Sequence, residues 1–174
     1  VAMAENNAAK YLSDEAARLR TATAQTEGAV RELGQYLGLS RLPWRMECFD
    51  ISHTQGAETV ASMVVFEGGV PNKDAYRRFR IRSAEGKPDD FRSMREVTER
   101  RYGKENVEDM PDLIVIDGGK GQLSSALEII RGAGHGEVPV ISLAEQFEWI
   151  FVEGQSEPVI LPRHSQALYL MQRI

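Results

Sequence analysis

Cysteine is almost missing from this chain. Cys48 stands alone, so no internal disulfide can form and stability has to come from packing. Long apolar runs are missing as well: no stretch approaches the ~18 apolar residues that a membrane helix needs, which removes membrane spans from the reading. Excess positive charge is also absent, since 21 Lys and Arg stand against 26 Asp and Glu for a net charge of -5. A protein that holds nucleic acid by bulk electrostatics shows the opposite balance, so any such contact must be local. Residues 1–10 lack the basic-then-apolar layout of a secretory signal, and with the lone cysteine this makes the cytoplasm the expected compartment. What is present is ordinary. Hydrophobic residues at 42% and charged residues at 27% exclude wholesale disorder, and 174 residues suffice for one well-buried domain but not for two large ones.

The chain divides by the period of its apolar residues. Val1, Ala4, Ala8, Leu12, Ala16 and Leu19, then Ala29, Val30, Leu33, Tyr36 and Leu37, recur at helical spacing. This predicts a helical lead over residues 1–40, as one long helix or as two with a break at Gly28, stopping near Leu39 at the Gly38 and Pro43 signals. Residues 41–174 then form the main domain. Short β-branched or apolar runs at 45–52, 60–66 and 76–81, punctuated by Gly56, Gly68, Gly69 and Pro71, and then Gly86 and Pro88, predict an antiparallel meander. A helix follows from Asp90 to about Tyr102. Four aliphatics at 113–116 ending in Asp117 have the texture of a strand buried on both faces. A helix over about 120–131, a strand at 139–143, short strands at 149–152 and 158–161, and a last helix capped by Ser165 complete the order. Strand, strand, strand, helix, strand, helix, strand implies an α/β fold with a mixed sheet and flanking helices. The last helix has no stop signal, so it is expected to be cut within the element.

The chemistry is carried by acids at strand ends. Asp50 lies among apolar neighbours, where a carboxylate is costly without a cation or another partner. Alternation puts Cys48, Asp50 and Ser52 on one face and Glu47, Phe49, Ile51 and His53 on the other, so Asp50 and Glu47 should not converge. Asp117 ends a strand and is followed by Gly118, Gly119, Lys120, Gly121 and Gln122, the kind of position at which open α/β sheets place ligand chemistry. The plainer alternatives are a turn contact for Asp50 and a helix cap for Asp117. A nucleotide-binding loop is a poor fit, because Gly-x-x-x-x-Gly-Lys-Ser/Thr does not occur. Asp89 and Asp90 open a helix, which needs only one of them as a cap. If the first and fourth core strands pair in parallel, Asp50 and Asp117 become neighbours and one of these helix acids can close the set. Three converging carboxylates would require a hard cation such as Mg²⁺ or Mn²⁺. Such a site suits phosphodiester hydrolysis and reconciles an acidic chain with an anionic substrate. Spacing alone makes none of His53, His135 and His164 a ligand or base, and a direct role stays open only for His53. Arg77, Arg78, Arg80 and Arg82, and Arg100, Arg101 and Lys104, are basic clusters for which phosphate contact competes with a solvated face.

In order, residues 47–53, 59–66, 76–79, 89–91 and 116–123 resemble the nuclease motifs of the bacterial excinuclease subunit UvrC, over about 42–174, and the helical lead resembles the stretch before that domain. The resemblance implies a ribonuclease H-like fold and the 5′ incision of DNA beside a lesion in nucleotide excision repair, with damaged DNA and UvrB as partners. It implies that Asp50 and Asp117 are the core metal-binding aspartates and Asp90 a further catalytic acid, with Asp89 the neighbouring alternative. Ser52, His53, Lys120 and Gln122 fall in the same motifs as supporting candidates, and Arg77, Arg78, Arg100 and Arg101 are the candidate DNA contacts. The family's other nuclease domain and its tandem helix-hairpin-helix module are not represented here. Two departures are visible. Glu145 stands where the family usually carries lysine, and the chain ends at Ile174, before a family segment whose histidine is catalytic. The expectation is a nuclease domain that folds without full activity by itself; the competing expectation is a nuclease-like docking module for repair partners.

Overall fold

A computed structural model describes residues 1–54, 58–83, 89–144, 146 and 148–174; Gly56, Gly86, Pro88 and Glu145 lie outside the described residues. The elements run α1 (Ala2–Tyr36), β1 (Arg45–His53), β2 (Thr59–Glu67), β3 (Val70–Pro71), a 3-10 turn (Lys73–Ala75), β4 (Arg77–Arg80) and α2 (Asp90–Tyr102). They continue with β5 (Leu113–Asp117), α3 (Lys120–Gly132), β6 (Val140–Ala144), β7 (Trp149–Val152) and α4 (Gln166–Arg173). One seven-stranded sheet is ordered β3-β2-β1-β5-β6-β7, with β4 also on β2. The mixed sheet expected from periodicity is present. β1 and β2 are antiparallel, as are β2 and β4, while β1, β5 and β6 are mutually parallel. Each parallel step is bridged by a helix, the crossover that parallel pairing requires.

The sheet is covered on both faces, which explains why β5 is aliphatic throughout. Leu113 and Val115 join Met46, Cys48, Leu33, Leu168 and Met171 in one core, whereas Ile114 and Ile116 join Phe49, Met63, Met94, Val97 and Leu123 in the other. Thus α1 and α4 pack on one face, and α2 and α3 on the other. α1 runs unbroken through Gly28. Only its last turns are in the core, where Ala29, Val30 and Leu33 are buried, while Tyr11, Leu12 and Leu19 upstream are exposed. The segment at 158–161 contributes a single bridge between Ile150 and Val159 in place of the expected strand.

Two caps match the sequence signals. The Asp89 carboxylate accepts the Arg92 amide at the start of α2, and the Ser165 hydroxyl accepts the Leu168 amide at the start of α4. The helix α2 also holds the chain beyond β4, because the Glu96 carboxylate accepts the amides of Arg82 at 2.9 Å and Ser83 at 2.8 Å. Burial works to raise the Glu96 pKa, but these amides and Arg100 hold it below the usual value. A depressed carboxylate stabilises the fold above its unfolded pKa, and that contribution is lost as pH falls through the folded pKa. Glu96→Gln is therefore expected to cost about 1 kcal/mol near neutral pH. In urea melts the gap from the native chain should close as pH drops below the ordinary glutamate range; a gap that stays constant or widens there would contradict this role.

Candidate functional site

The parallel register of β1 and β5 pairs Cys48 with Val115 and Phe49 with Ile116. The next residues on the two strands are Asp50 and Asp117, which therefore stand side by side in the following row. Alternation fixes their direction: Cys48 and Val115 belong to the core under α1 and α4, so Asp50 and Asp117 face that side too. Both line a pocket of about 410 Å³ together with Cys48, Ser62, Val64, Leu143, Glu148, Leu168, Met171, Gln172 and Ile174. The wall supplied by α4 is apolar at Leu168 and Met171. The mouth lies at the carboxyl ends of the parallel strands, where such sheets leave room for a ligand.

Cys48 forms part of the floor. Burial pushes its thiol pKa strongly upward, and the negative charges of Asp117 and then Asp50 add to the effect. Both carboxylates thus act on one buried sulfur, which stays protonated and inert.

The helix acids are placed elsewhere. Asp89 is the cap of α2. Asp90 Oδ1 lies 2.7 Å from His53 Nε2, while His53 Nδ1 lies 3.0 Å from the Thr59 hydroxyl. His53 alternates with Asp50 and so points to the α2 side of the sheet. Neither Asp89 nor Asp90 is among the residues lining the aspartate pocket, so two of the three expected acids are brought together. Among the described residues no group of three or more His, Cys, Asp or Glu side chains is arranged to hold a metal.

Supporting residues divide in the same way. The Ser52 hydroxyl, on the Asp50 face, donates to the Val60 carbonyl at 3.4 Å. Gln122 closes the first turn of α3 by accepting the Gly119 amide at 3.0 Å. Gly118 has φ +155°, a backbone conformation that residues with side chains rarely adopt, which is the local reason for glycine directly after Asp117. Lys120 donates to the Ser156 carbonyl at 2.7 Å and lies 5.1 Å from the Phe151 ring centroid.

The arginines are not one surface. Arg101, expected as a DNA contact, is buried, with Nε and Nη2 each 2.9 Å from the Glu47 carboxylate. Arg100 donates to the Arg80 carbonyl at 2.7 Å and stacks over Phe79. Arg77 is paired with Met63, on the α2 side, and Arg78 with Ser62, on the aspartate side.

Glu148 and Gln172 were not singled out from sequence, yet both line the pocket, with Gln172 Nε2 donating to Glu148 Oε1 at 2.6 Å. A signal existed. β6 is parallel to β5, so the segment after β6 emerges at the same end of the sheet as Asp117, and Glu148 lies in it.

A family described as the UvrC RNAse H endonuclease domain matches residues 34–174. The chain is 45% identical over 172 residues to UvrABC system protein C of Gloeobacter violaceus, covering 95% of this chain and 27% of that protein. It is 41% identical over 203 residues to the same-named protein of Symbiobacterium thermophilum, covering 100% of this chain and 32% of that one. The chain thus spans between a quarter and a third of the length of these curated relatives. Among solved structures, human ENDOV aligns over 74% of each chain at 12% identity with a TM-score of 0.37.

Proposed function

The chain belongs to the UvrC RNase H endonuclease domain family, and from that premise we propose that it is a metal-dependent DNA endonuclease domain making the 5′ incision beside a lesion in bacterial nucleotide excision repair. The observation that carries this reading is the side-by-side placement of Asp50 and Asp117 at the open end of two parallel strands. Damaged DNA is the substrate, UvrB the partner and the cytoplasm the compartment in the same proposal.

Mg²⁺ or Mn²⁺ fits the residues present. Such ions are commonly held by one or two carboxylates, with water and substrate phosphate completing the shell, so two aspartates are a sufficient protein contribution. A metal bound there supplies polarisation of the phosphate and a water nucleophile near neutral pH. The chain's own residues do the rest. Asp50 and Asp117 would hold the ion from neighbouring strands, at a separation set by the strand register. Leu168 and Met171 keep one side of it apolar, and the protonated Cys48 adds no competing charge beneath it. Gln172 holds Glu148 at the pocket wall. Asp90 enters this proposal through its bond to His53, which orients the imidazole at the end of the strand that carries Asp50.

The test is incision of a lesion-bearing duplex by a full-length UvrABC system protein C carrying this chain as its endonuclease domain. The 5′ cut should vanish on chelation and return with Mg²⁺ or Mn²⁺. A 5′ cut that persists in chelator removes the metal from the proposal, and loss of that cut under every metal condition leaves the docking module as the better reading.

A further inference from the structure

Resting on the nuclease reading, we infer that the substrate's phosphodiester backbone crosses the sheet strands from the aspartate pair toward the β4 edge, and that Arg78 is the positioning residue for a phosphate flanking the scissile one. Two pairings, and the β1–β5 register carried one residue past its last pair Phe49 and Ile116, align these groups. Asp117 and Asp50 share a row across β5 and β1, Asp50 is paired with Ser62 on β2, and Ser62 is paired with Arg78 on β4. Directly paired residues carry their side chains on the same face. The row therefore reads Asp117, Asp50, Ser62, Arg78, in one line on the face that opens into the pocket. Ser62 itself lines that pocket, which confirms the facing.

Strand spacing sets the scale. Two strand steps place Arg78 roughly 10 Å from Asp50, and an arginine side chain spans a good part of that gap. The row thus presents an acidic pair for a metal, a hydroxyl, and then a guanidinium suited to bidentate phosphate contact. The other arginines differ in ways that single out Arg78. Arg77 alternates to the opposite face, Arg101 is buried on Glu47, and Arg80, on the correct face, is paired with Glu58 at 2.9 Å. Arg78 is exposed at the sheet edge, and among the described residues its side chain makes no hydrogen bond or ion pair within the protein.

The experiment is fluorescence anisotropy of a labelled DNA duplex with an unpaired bubble, titrated with the chain in Ca²⁺ across a salt series. Arg78→Gln should weaken binding about tenfold and flatten the log affinity against log salt slope by roughly one phosphate contact. Arg77→Gln should leave the slope unchanged, and Arg78→Lys should restore most of it because the charge is kept. A fold defect would not flatten the slope selectively, and melting curves of the variants should overlay. Binding that is insensitive to Arg78→Gln, or equally sensitive to Arg77→Gln, overturns the row while leaving the nuclease reading intact. No binding of this DNA by the native chain, with or without a divalent ion, overturns the nuclease reading and the row with it.

Discussion

Replacing Asp117 by asparagine, or Asp50 by asparagine, is expected to lower the proposed 5′ incision by roughly a thousandfold or more while leaving the melting temperature of the domain close to the native value. The expectation follows from the neighbouring rows of β1 and β5. In the proposed site each aspartate would supply oxygen ligands to the same ion, and an amide at either position would keep the shape but remove the charge that attracts it. The metal's contribution to phosphodiester hydrolysis is several kcal/mol, and that magnitude converts to a rate factor of this size. Stability should change little, because asparagine keeps the shape of each side chain and two neighbouring carboxylates repel. The measurement is cleavage of an end-labelled lesion duplex beside thermal unfolding of each variant. Undiminished cutting by either variant would sink the assignment, and a collapse of the melt in both would mean the aspartates are structural.

The second large effect lies away from the pocket. Glu47 is fully buried, and its carboxylate accepts from Arg101, from Arg45 at 3.0 Å and from the Tyr102 hydroxyl at 2.6 Å. Arg101 also reaches the carbonyls of Glu108 and Asp109. Burial and then the Glu47 charge push the Tyr102 pKa well upward, so its hydroxyl remains a donor. Arg101→Met leaves a buried carboxylate with two of its three partners, and takes a donor from both oxygens of that carboxylate and from the Glu108 and Asp109 carbonyls. Breaking a buried pair from one side costs about 3–5 kcal/mol, and the remaining Arg45 puts this case near the lower end. For a chain of this size that is a loss of roughly 10 °C in melting temperature. The double variant Glu47→Met, Arg101→Met should recover much of the loss, since an apolar pair needs no counter-charge. Well below its melting point Arg101→Met should still show the native salt slope in DNA binding. A variant with native stability but a flattened slope would instead return Arg101 to the DNA-contacting surface.

These two sites show what the residue pattern made legible and what it did not. The boundaries of α2, β5 and α3 follow from period and capping residues, because Asp89, Asp117 and Gly119 punctuate runs with clear helical or continuous apolar texture. The juxtaposition of Asp50 and Asp117 was legible as a consequence of parallel pairing, which four aliphatics in a row at 113–116 already imply. Alternation also separated Glu47 from Asp50 correctly, but it says nothing about what waits on the far face. There Arg101, in the last turn of an amphipathic helix, points inward to meet Glu47, and a charge cluster in sequence splits into a buried ion pair and an exposed edge. The placement of Asp90 on His53 was hidden for a related reason: the start of α2 is fixed by its packing on the second core, which local signals do not report. Glu148 and Gln172 come together through the packing of α4 on the sheet, a contact between elements far apart in the chain.

Counting bound Mn²⁺ by electron paramagnetic resonance tests the aspartate pair most directly, because it needs neither substrate nor partner. The native chain should take up Mn²⁺ at about one site, and Asp50→Asn, Asp117→Asn should lose it with the fold intact. Uptake in the double variant equal to that of the native chain would place the metal elsewhere and contradict the site described here.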